Sequence, residues 1–243
     1  MRRDKLVEFL DAQFEDLGDE DAPNGLQFTG KDEVKKVALA VDARLATIQK
    51  AAKMGADMLF THHPLIFDPM KRVGIFEKAR LKALIENDLN LYSQHLPLDK
   101  HPKLGNNALI AKALGLKIVG GFASHHGFPI GVAAIAGISF DELVRRVRKS
   151  IGDCITIKTH EGTGKIGIVS GAGGKASSEV EAGGTFITGD PNGFVEARAN
   201  EMGFNVIFAG HYRTEVFGVK AVGKELEKLG LKVEFIDCPT RTG

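Results

Sequence analysis

Strand patterns alternate with helix patterns in the first part of this chain, and this alternation constrains the fold more than any other feature. Each strand pattern is a short, mostly apolar run, and each helix pattern places apolar residues at helical spacing. Strands that are joined through helices pair in parallel, with helices packed on the sheet. The strand patterns are residues 34–42, 56–63 and 89–95, and the helix patterns are residues 43–55 and 74–88.

The same alternation returns in the second half of the chain, after a middle part rich in glycine and alanine. The segments TFITGD (185–190) and GFNVIFAGH (203–211) resemble GADMLFTHH (55–63) in pattern, although not in identity. We therefore predict an α/β fold of two related lobes, with mostly parallel or mixed sheets surrounded by helices. The predicted lobes are residues 1–117 and 118–243, and they can also be counted as one domain. Residues 118–165 are predicted to connect or extend the lobes.

The composition is that of a soluble globular protein, with 43% hydrophobic and 26% charged residues. A net charge of +1 gives the protein no overall positive potential that would attract nucleic acid or an anionic membrane, so we expect neither as a partner. No apolar run approaches the about 18–20 residues that span a bilayer. The two cysteines, Cys154 and Cys238, lie outside any CxxC motif, which predicts reduced thiols and a cytoplasmic location.

Histidines and acidic residues follow the predicted strands at their carboxyl ends. His62 and His63 end the second strand, and Asp99 follows the third. His211 and Glu215 are four residues apart at the start of a predicted helix, where such side chains share one face with Cβ atoms about 5–6 Å apart. Ligands bind outside the carboxyl ends of parallel strands. We therefore predict that these residues converge on a metal site between the lobes.

Three imidazoles and two carboxylates can hold two ions that share a bridging carboxylate. Two-metal hydrolytic sites place their ions about 3.5–4 Å apart. Adjacent residues on an extended chain point to opposite sides, so His62 and His63 would each serve a different ion. Each part also has a structural explanation: a hydrogen-bonded histidine pair, a surface pair on a helix for His211 and Glu215, and a turn residue for Asp99.

Four further features have a less specific pattern. His95 follows the third strand and is predicted either to transfer protons as a catalytic residue or to support a metal ligand. Asp42 ends the first strand, where it can accept a hydrogen bond from a ligand or cap the next helix. SGAGGK (170–175) fails the P-loop pattern, and we favour a tight turn over an anion site. His125 and His126 are not expected to be ligands.

The ordered motifs resemble a known family over nearly the whole chain. They are NGLQ (24–27), the strand ending in Asp42, GADMLFTHHPL (55–65), SQHLPLD (93–99), GAGG (171–174), ITGD (187–190) and GHYRTE (210–215). In this order they resemble the Nif-three-like dinuclear-metal-centre proteins, often named GTP cyclohydrolase type 2 homologues. The resemblance implies two divalent ions held by His62, His63, Asp99, His211 and Glu215, with Glu215 as the bridge. It also implies a homo-oligomer, usually a hexameric ring that encloses the sites.

The chain departs from the family pattern in one short segment. Many members carry histidine just after the TGD segment, where this chain has Pro191, Asn192 and Gly193. Catalytic assistance from such a histidine is therefore not expected here. Residues 118–165 are also too few for the domain that some members insert in mid-chain, so this is the compact form.

Two hypotheses for function follow. The first is a metal-dependent hydrolase that acts on GTP, another nucleotide or a phosphoester, with a metal-bound hydroxide as the attacking species. The second is a non-enzymatic metal-binding regulatory or interaction protein. Five protein ligands for two ions leave open coordination positions, which favours the hydrolase and a small-molecule substrate. Imidazole and carboxylate ligands accept zinc, iron, manganese, cobalt or nickel, so the metal is not resolved.

Overall fold

A computed structural model describes residues 1–15, 22–67 and 72–240. These residues form an α/β fold with one five-stranded and one six-stranded sheet and helices around them, which confirms the predicted fold class. Contacts divide the chain into two compact units. The first unit contains residues 1–98 and 219–238, and the second contains residues 99–218 and the C-terminal residues from 239. The lobe boundary at residue 117 stays a prediction.

The first unit contains a sheet in the order β1-β4-β3-β2-β11. Strands β2, β3, β4 and β11 are parallel, whereas β1 is antiparallel to β4. Its elements are α1 (Arg3–Asp11), β1 (Gly25–Phe28), β2 (Lys36–Asp42), α2 (Leu45–Lys53), β3 (Met58–His63), α3 (Ile75–Glu86), β4 (Asn90–Ser93) and β11 (Lys232–Phe235). Two helices, α4 (Leu96–Lys100) and α8 (His211–Lys228), contain residues of both units.

The last strand joins the first sheet. β11 pairs in parallel with β2, so that Val233 lies opposite Val37. The chain therefore returns, after the whole second sheet has been formed, to the edge of the sheet with which it began.

The second unit contains a sheet in the order β5-β6-β8-β9-β10-β7. Strands β8, β9 and β10 are parallel, and the remaining three pair antiparallel. Its elements are α5 (Asn106–Ala113), β5 (Lys117–His125), β6 (Phe128–Ile135), α6 (Phe140–Ser150), β7 (Ile155–Ile157), β8 (Lys165–Val169), a 3₁₀ helix (Gly173–Glu179), β9 (Thr185–Thr188), α7 (Gly193–Met202) and β10 (Asn205–Phe208). The first sheet thus has four neighbouring parallel strands and the second has three, so parallel pairing occurs in both, as the repeated pattern indicated.

The central parallel strands are buried on both faces. β4, β9 and β10 are buried throughout, and β3 is buried up to its last residue, His63. Parallel strands are buried in this way when helices cover both sides of the sheet. His62 and His63 lie where the buried part of β3 ends.

Helix starts follow the local sequence. Ser139 caps α6 by accepting a hydrogen bond from the Glu142 N–H at 3.2 Å. Asn192 caps α7 by accepting from the N–H groups of Phe194 and Val195. In the segment after TGD, where many family members carry histidine, this chain therefore has a helix-capping residue. None of the helices within the described ranges is both long enough and apolar enough to cross a bilayer.

Candidate metal centre

His62 is the last fully buried residue of β3, and its ring is oriented by the neighbouring strand segment. Its Nδ1 lies 2.9 Å from the main-chain oxygen of Gln94, directly after β4. A carbonyl oxygen only accepts, so Nδ1 carries the hydrogen and the lone pair of the neutral ring is on Nε2. This tautomer presents Nε2 as the metal-binding atom.

His63 is oriented by a carboxylate. Its Nδ1 lies 2.8 Å from Oδ1 of Asp42, at the end of the adjacent parallel strand. The other oxygen of Asp42 lies 3.3 Å from Nε of Arg44. Of the two alternatives for Asp42, the structure shows the hydrogen bond with His63, and the helix cap is wrong because Arg44 occupies the N-cap position of α2. The role of Asp42 in support of a metal ligand stays a prediction. Metal-binding histidines commonly donate to a carboxylate in this way.

His95 completes a cluster of three imidazoles in the first unit. Its ring centroid lies 5.1 Å from that of His62 and 5.7 Å from that of His63. One ring nitrogen from each of the three residues lies within 4.8 Å of the others, so the group could hold a metal ion. The structure therefore makes His95 a possible ligand as well as a possible proton carrier, and its catalytic role stays a prediction.

The NGLQ motif supports this cluster through its two amide side chains. Asn24 Oδ1 accepts from the N–H of His95 at 2.7 Å, and Gln27 Oε1 accepts from the N–H of Leu65 at 2.8 Å. The sequence of the motif alone did not indicate this role. Phe67 was missed altogether, although its half-exposed ring lies edge-on to His95 with centroids 5.7 Å apart. The sequence signal for Phe67 was that an aromatic residue follows the histidine pair by only a few positions.

In the second unit, Asp99 is a buried carboxylate in a fixed orientation. Its Oδ1 accepts from Asn106 Nδ2 and from Ser170 Oγ, each at 2.8 Å. Asn106 is fixed in turn, because its Oδ1 accepts from the N–H of Gly218 at 2.7 Å. A buried carboxylate with a fixed orientation is more consistent with a metal ligand than with a residue that serves only a turn.

His211 and Glu215 lie on one face of α8, as their spacing predicted. Nε2 of His211 is 3.1 Å from Oε1 of Glu215, and its Nδ1 is 2.9 Å from Oδ2 of Asp190. Burial lowers the pKa of His211, but hydrogen bonds and charge from Glu215 and Asp190 outweigh it and raise this pKa to about 9. Asp190, in ITGD, was not among the predicted site residues, although the histidine–carboxylate pairing repeats that of His63.

The glycine-rich segment serves as a tight turn that brings the backbone close to Glu215. Gly171 has a φ of +60°, and a Cβ there would collide with the Glu215 carboxylate and lie 3.2 Å from Nε2 of His211. Its carbonyl accepts from the N–H groups of Gly189 and Asp190 at 2.9 and 3.1 Å. The glycine is therefore required by both the turn and the close approach.

The remaining histidines have other structural environments. His101 accepts from two main-chain N–H groups, and His160 Nε2 lies 3.1 Å from the Gly184 oxygen. His125 and His126 lie at the β5–β6 hairpin with ring centroids 4.4 Å apart. In the described part of the chain, no group of three potential metal ligands includes any of these four residues.

The donor set fits divalent metal ions. Two histidines, His63 and His211, have a carboxylate at Nδ1, and a third has a main-chain carbonyl there. These partners fix ring orientation and tautomer and increase the basicity of the opposite nitrogen. Imidazole and carboxylate donors suit zinc and the other first-row divalent ions.

The raised pKa of His211 predicts the pH dependence of the metal-free protein. Because the folded pKa of about 9 lies above the reference value of 6.5, protonated His211 stabilises the fold fully below about pH 6.5. That contribution is lost as the pH rises through about 9, so the free energy of unfolding should fall across this window. Urea denaturation of chelator-treated protein at several pH values measures it. Asp190→Asn should lower the His211 pKa observed by NMR, and an unchanged value would contradict this account.

The fold and these residues define an α/β protein with carboxylate-oriented histidines at strand ends. The chain belongs to the Duf34/NIF3 (NGG1p interacting factor 3) family, whose model matches residues 1–242. This confirms the resemblance seen in the sequence motifs.

Relatives and solved structures agree with this membership. A "GTP cyclohydrolase 1 type 2 homolog" from Pyrococcus abyssi is 41% identical to this chain, and the match covers 99% of each chain. Its namesake from Deinococcus radiodurans is 38% identical, covering 98% of this chain and 94% of the relative. The crystal structure of TTHA1606 from Thermus thermophilus matches with a TM-score of 0.90 at 35% identity, covering 99% of this chain and 100% of that one. Reduced HcgD from Methanocaldococcus jannaschii matches with a TM-score of 0.85 at 31% identity, covering 98% of both chains.

Proposed function

We propose that this protein is a dinuclear metal-dependent hydrolase. Its metal ligands would be His62, His63, Asp99, His211 and Glu215, with Glu215 as the bridge between two divalent ions. The substrate would be GTP, another nucleotide or a phosphoester, in keeping with the name of its relatives. The homohexamer implied by the family resemblance is part of the same proposal.

The observation that carries this proposal is the carboxylate behind each of two histidines. Asp42 lies at Nδ1 of His63, and Asp190 lies at Nδ1 of His211. A histidine that serves only packing needs no such partner, whereas a ligand histidine gains orientation and basicity from it. The repetition in both units supports a role for each unit in metal binding.

The proposed roles of the chain's own groups follow from their positions. Asp42 and Asp190 would hold the ligand rings, and Asn106 and Ser170 would hold the Asp99 carboxylate. His95, whose main chain is fixed by Asn24, would transfer a proton at a ring nitrogen. When bound, two divalent ions would lower the pKa of a bound water and polarise the bond under attack.

Metal analysis of the purified protein tests this proposal. We expect about two divalent ions per chain by elemental analysis, and a clear reduction in His63→Ala and in Glu215→Ala because each substitution removes a ligand. The matched controls are His160→Ala and Glu225→Ala, since Glu225 lies on the same helix as Glu215 but pairs with Lys228. Both controls should keep the wild-type content.

The activity is then tested with the metal found. GTP and a simple phosphoester should be hydrolysed by the loaded protein, and turnover should fall in His95→Gln with the metal content retained. A protein that stays metal-free after resupply of ions would rule out the dinuclear site. Two bound ions without turnover on any nucleotide or phosphoester would instead favour a metal-binding regulatory or interaction protein.

A further inference from the structure

The first unit contains an open cavity that is lined in part by Gln94, the residue whose main-chain oxygen contacts His62. Its volume is about 490 Å³, within the usual range of about 300–1,000 Å³ for small-molecule sites. The C-terminal half of α1, the segment leading into β1 and the residues after β4 form its walls. Part of this lining is apolar, including Val7, Leu26 and Pro97.

The polar part of the lining consists mainly of hydrogen-bond acceptors. Asp11 and Glu15 contribute carboxylates, and Gln94, a residue that is only 4% exposed, contributes an amide. No lysine, arginine or histidine is among the described residues that line the cavity. Asp11 is also the last residue of α1, and the C-terminal end of a helix adds negative potential. The cavity therefore disfavours phosphates and favours ligands with N–H donors.

A chain of hydrogen bonds fixes which atom of the Gln94 amide accepts. The Tyr92 hydroxyl donates to Asp11 Oδ1 at 2.7 Å, and Gln94 Nε2 donates to the Tyr92 oxygen at 3.1 Å. Burial and the bond to Asp11 raise the pKa of Tyr92, so the hydroxyl keeps its proton and this direction holds. Gln94 Oε1 is then the remaining acceptor. It is buried, and no residue in the described part of the chain donates to it.

We propose that this cavity binds a small planar ligand whose edge carries two adjacent N–H donors. These donors, as in an amidine group or the N–H edge of a guanine ring, would be accepted by the Asp11 carboxylate and by Gln94 Oε1. The apolar walls would contact the body of the ligand. A hydrogen bond to a charged group is stronger than one between neutral groups, so Asp11 carries most of the recognition.

The cavity is also linked to the histidine cluster through two of its own lining residues. Gln94 holds Nδ1 of His62 through its main-chain carbonyl, and Asn24 holds the N–H of His95. A ligand that shifts either residue would change the environment of these rings. Ligand binding in this cavity does not require the proposed metal ions, and it is measurable in the metal-free protein.

Calorimetric titration of the metal-free protein with benzamidine and with guanosine tests the proposal. Benzamidine carries the donor pair as a cation, and guanosine carries it on a neutral base, so the two probes separate the two sources of this chemistry. We expect at least one to bind, with saturable shifts of the His62 and His95 NMR signals. If guanosine binds, inosine should bind about tenfold more weakly, because it lacks the 2-amino donor.

The decisive variant is Asp11→Asn, which keeps an oxygen for the Tyr92 hydroxyl but loses the charge. It should bind the active probe at least tenfold more weakly, while Glu8→Gln, an exposed acidic residue on the same helix, should bind it as the wild type does. Equal melting temperatures of the two variants would show that both keep the native fold. Failure of both probes to bind at millimolar concentration, or unchanged affinity in Asp11→Asn, would overturn the proposal.

Discussion

Replacement of Gly171 with alanine is expected to lower the free energy of unfolding by about 3 kcal/mol and to disrupt metal binding. The backbone at this position has a φ of +60°, which costs an L-residue about 1–2 kcal/mol. The added methyl group would also collide with the carboxylate of Glu215, a buried residue that cannot move freely. Overpacking of such a site typically costs about 1–3 kcal/mol more.

Two other glycines separate these contributions. Gly183 has a φ of +76°, but an added methyl group there would have nothing within 4 Å, so Gly183→Ala should cost only the backbone contribution of about 1–2 kcal/mol. Gly193 has neither a positive φ nor a close neighbour, and Gly193→Ala should change stability by less than about 0.5 kcal/mol. Urea denaturation and metal analysis of the three variants provide the comparison. Normal metal content in Gly171→Ala would show that metal binding by Glu215 does not require the close contact between its carboxylate and the backbone of Gly171.

The local features of the site were predictable because they depend on short-range periodicity. The run ADMLF indicated a buried strand, and a buried strand places the following His62 and His63 at its carboxyl end. The spacing of His211 and Glu215 likewise fixed their shared helical face. For Asp42 the sequence left two alternatives, because local periodicity does not specify the pairing of β2 with β3 that brings Asp42 beside His63.

Features that depend on distant contacts could not be predicted from the sequence. The pairing of β11 with β2 joins residues nearly two hundred positions apart, and nothing within either strand specifies it. The contact of Gly171 with Glu215 and that of Asn24 with His95 are of the same kind. Strand β5 was missed for a different reason: its glycine pair, Gly120 and Gly121, weakens the strand pattern, although β6 pairs with it over most of its length.

Replacement of Asp42 with asparagine is expected to weaken metal binding about 10- to 100-fold while leaving every proposed ligand in place. The carboxylate accepts from Nδ1 of His63, and it increases the basicity of the opposite ring nitrogen. Asparagine can offer either an oxygen or an amide donor to Nδ1, so neither the orientation nor the tautomer of the ring is fixed as firmly. Competition with a chelator of known affinity measures the change in Kd.

The same substitution removes the ion pair between Asp42 and Arg44, so its effect needs a separate control. Arg44→Gln removes that ion pair but keeps the carboxylate beside His63, and it should change the metal Kd by less than about threefold, as expected for a partly exposed pair. Asp32→Asn, which alters an exposed carboxylate of the same unit, should have no effect. If Arg44→Gln weakens metal binding as much as Asp42→Asn does, the arginine governs the affinity and the hydrogen bond to His63 does not. The pairing of Asp42 with His63 would then no longer support the proposed metal site.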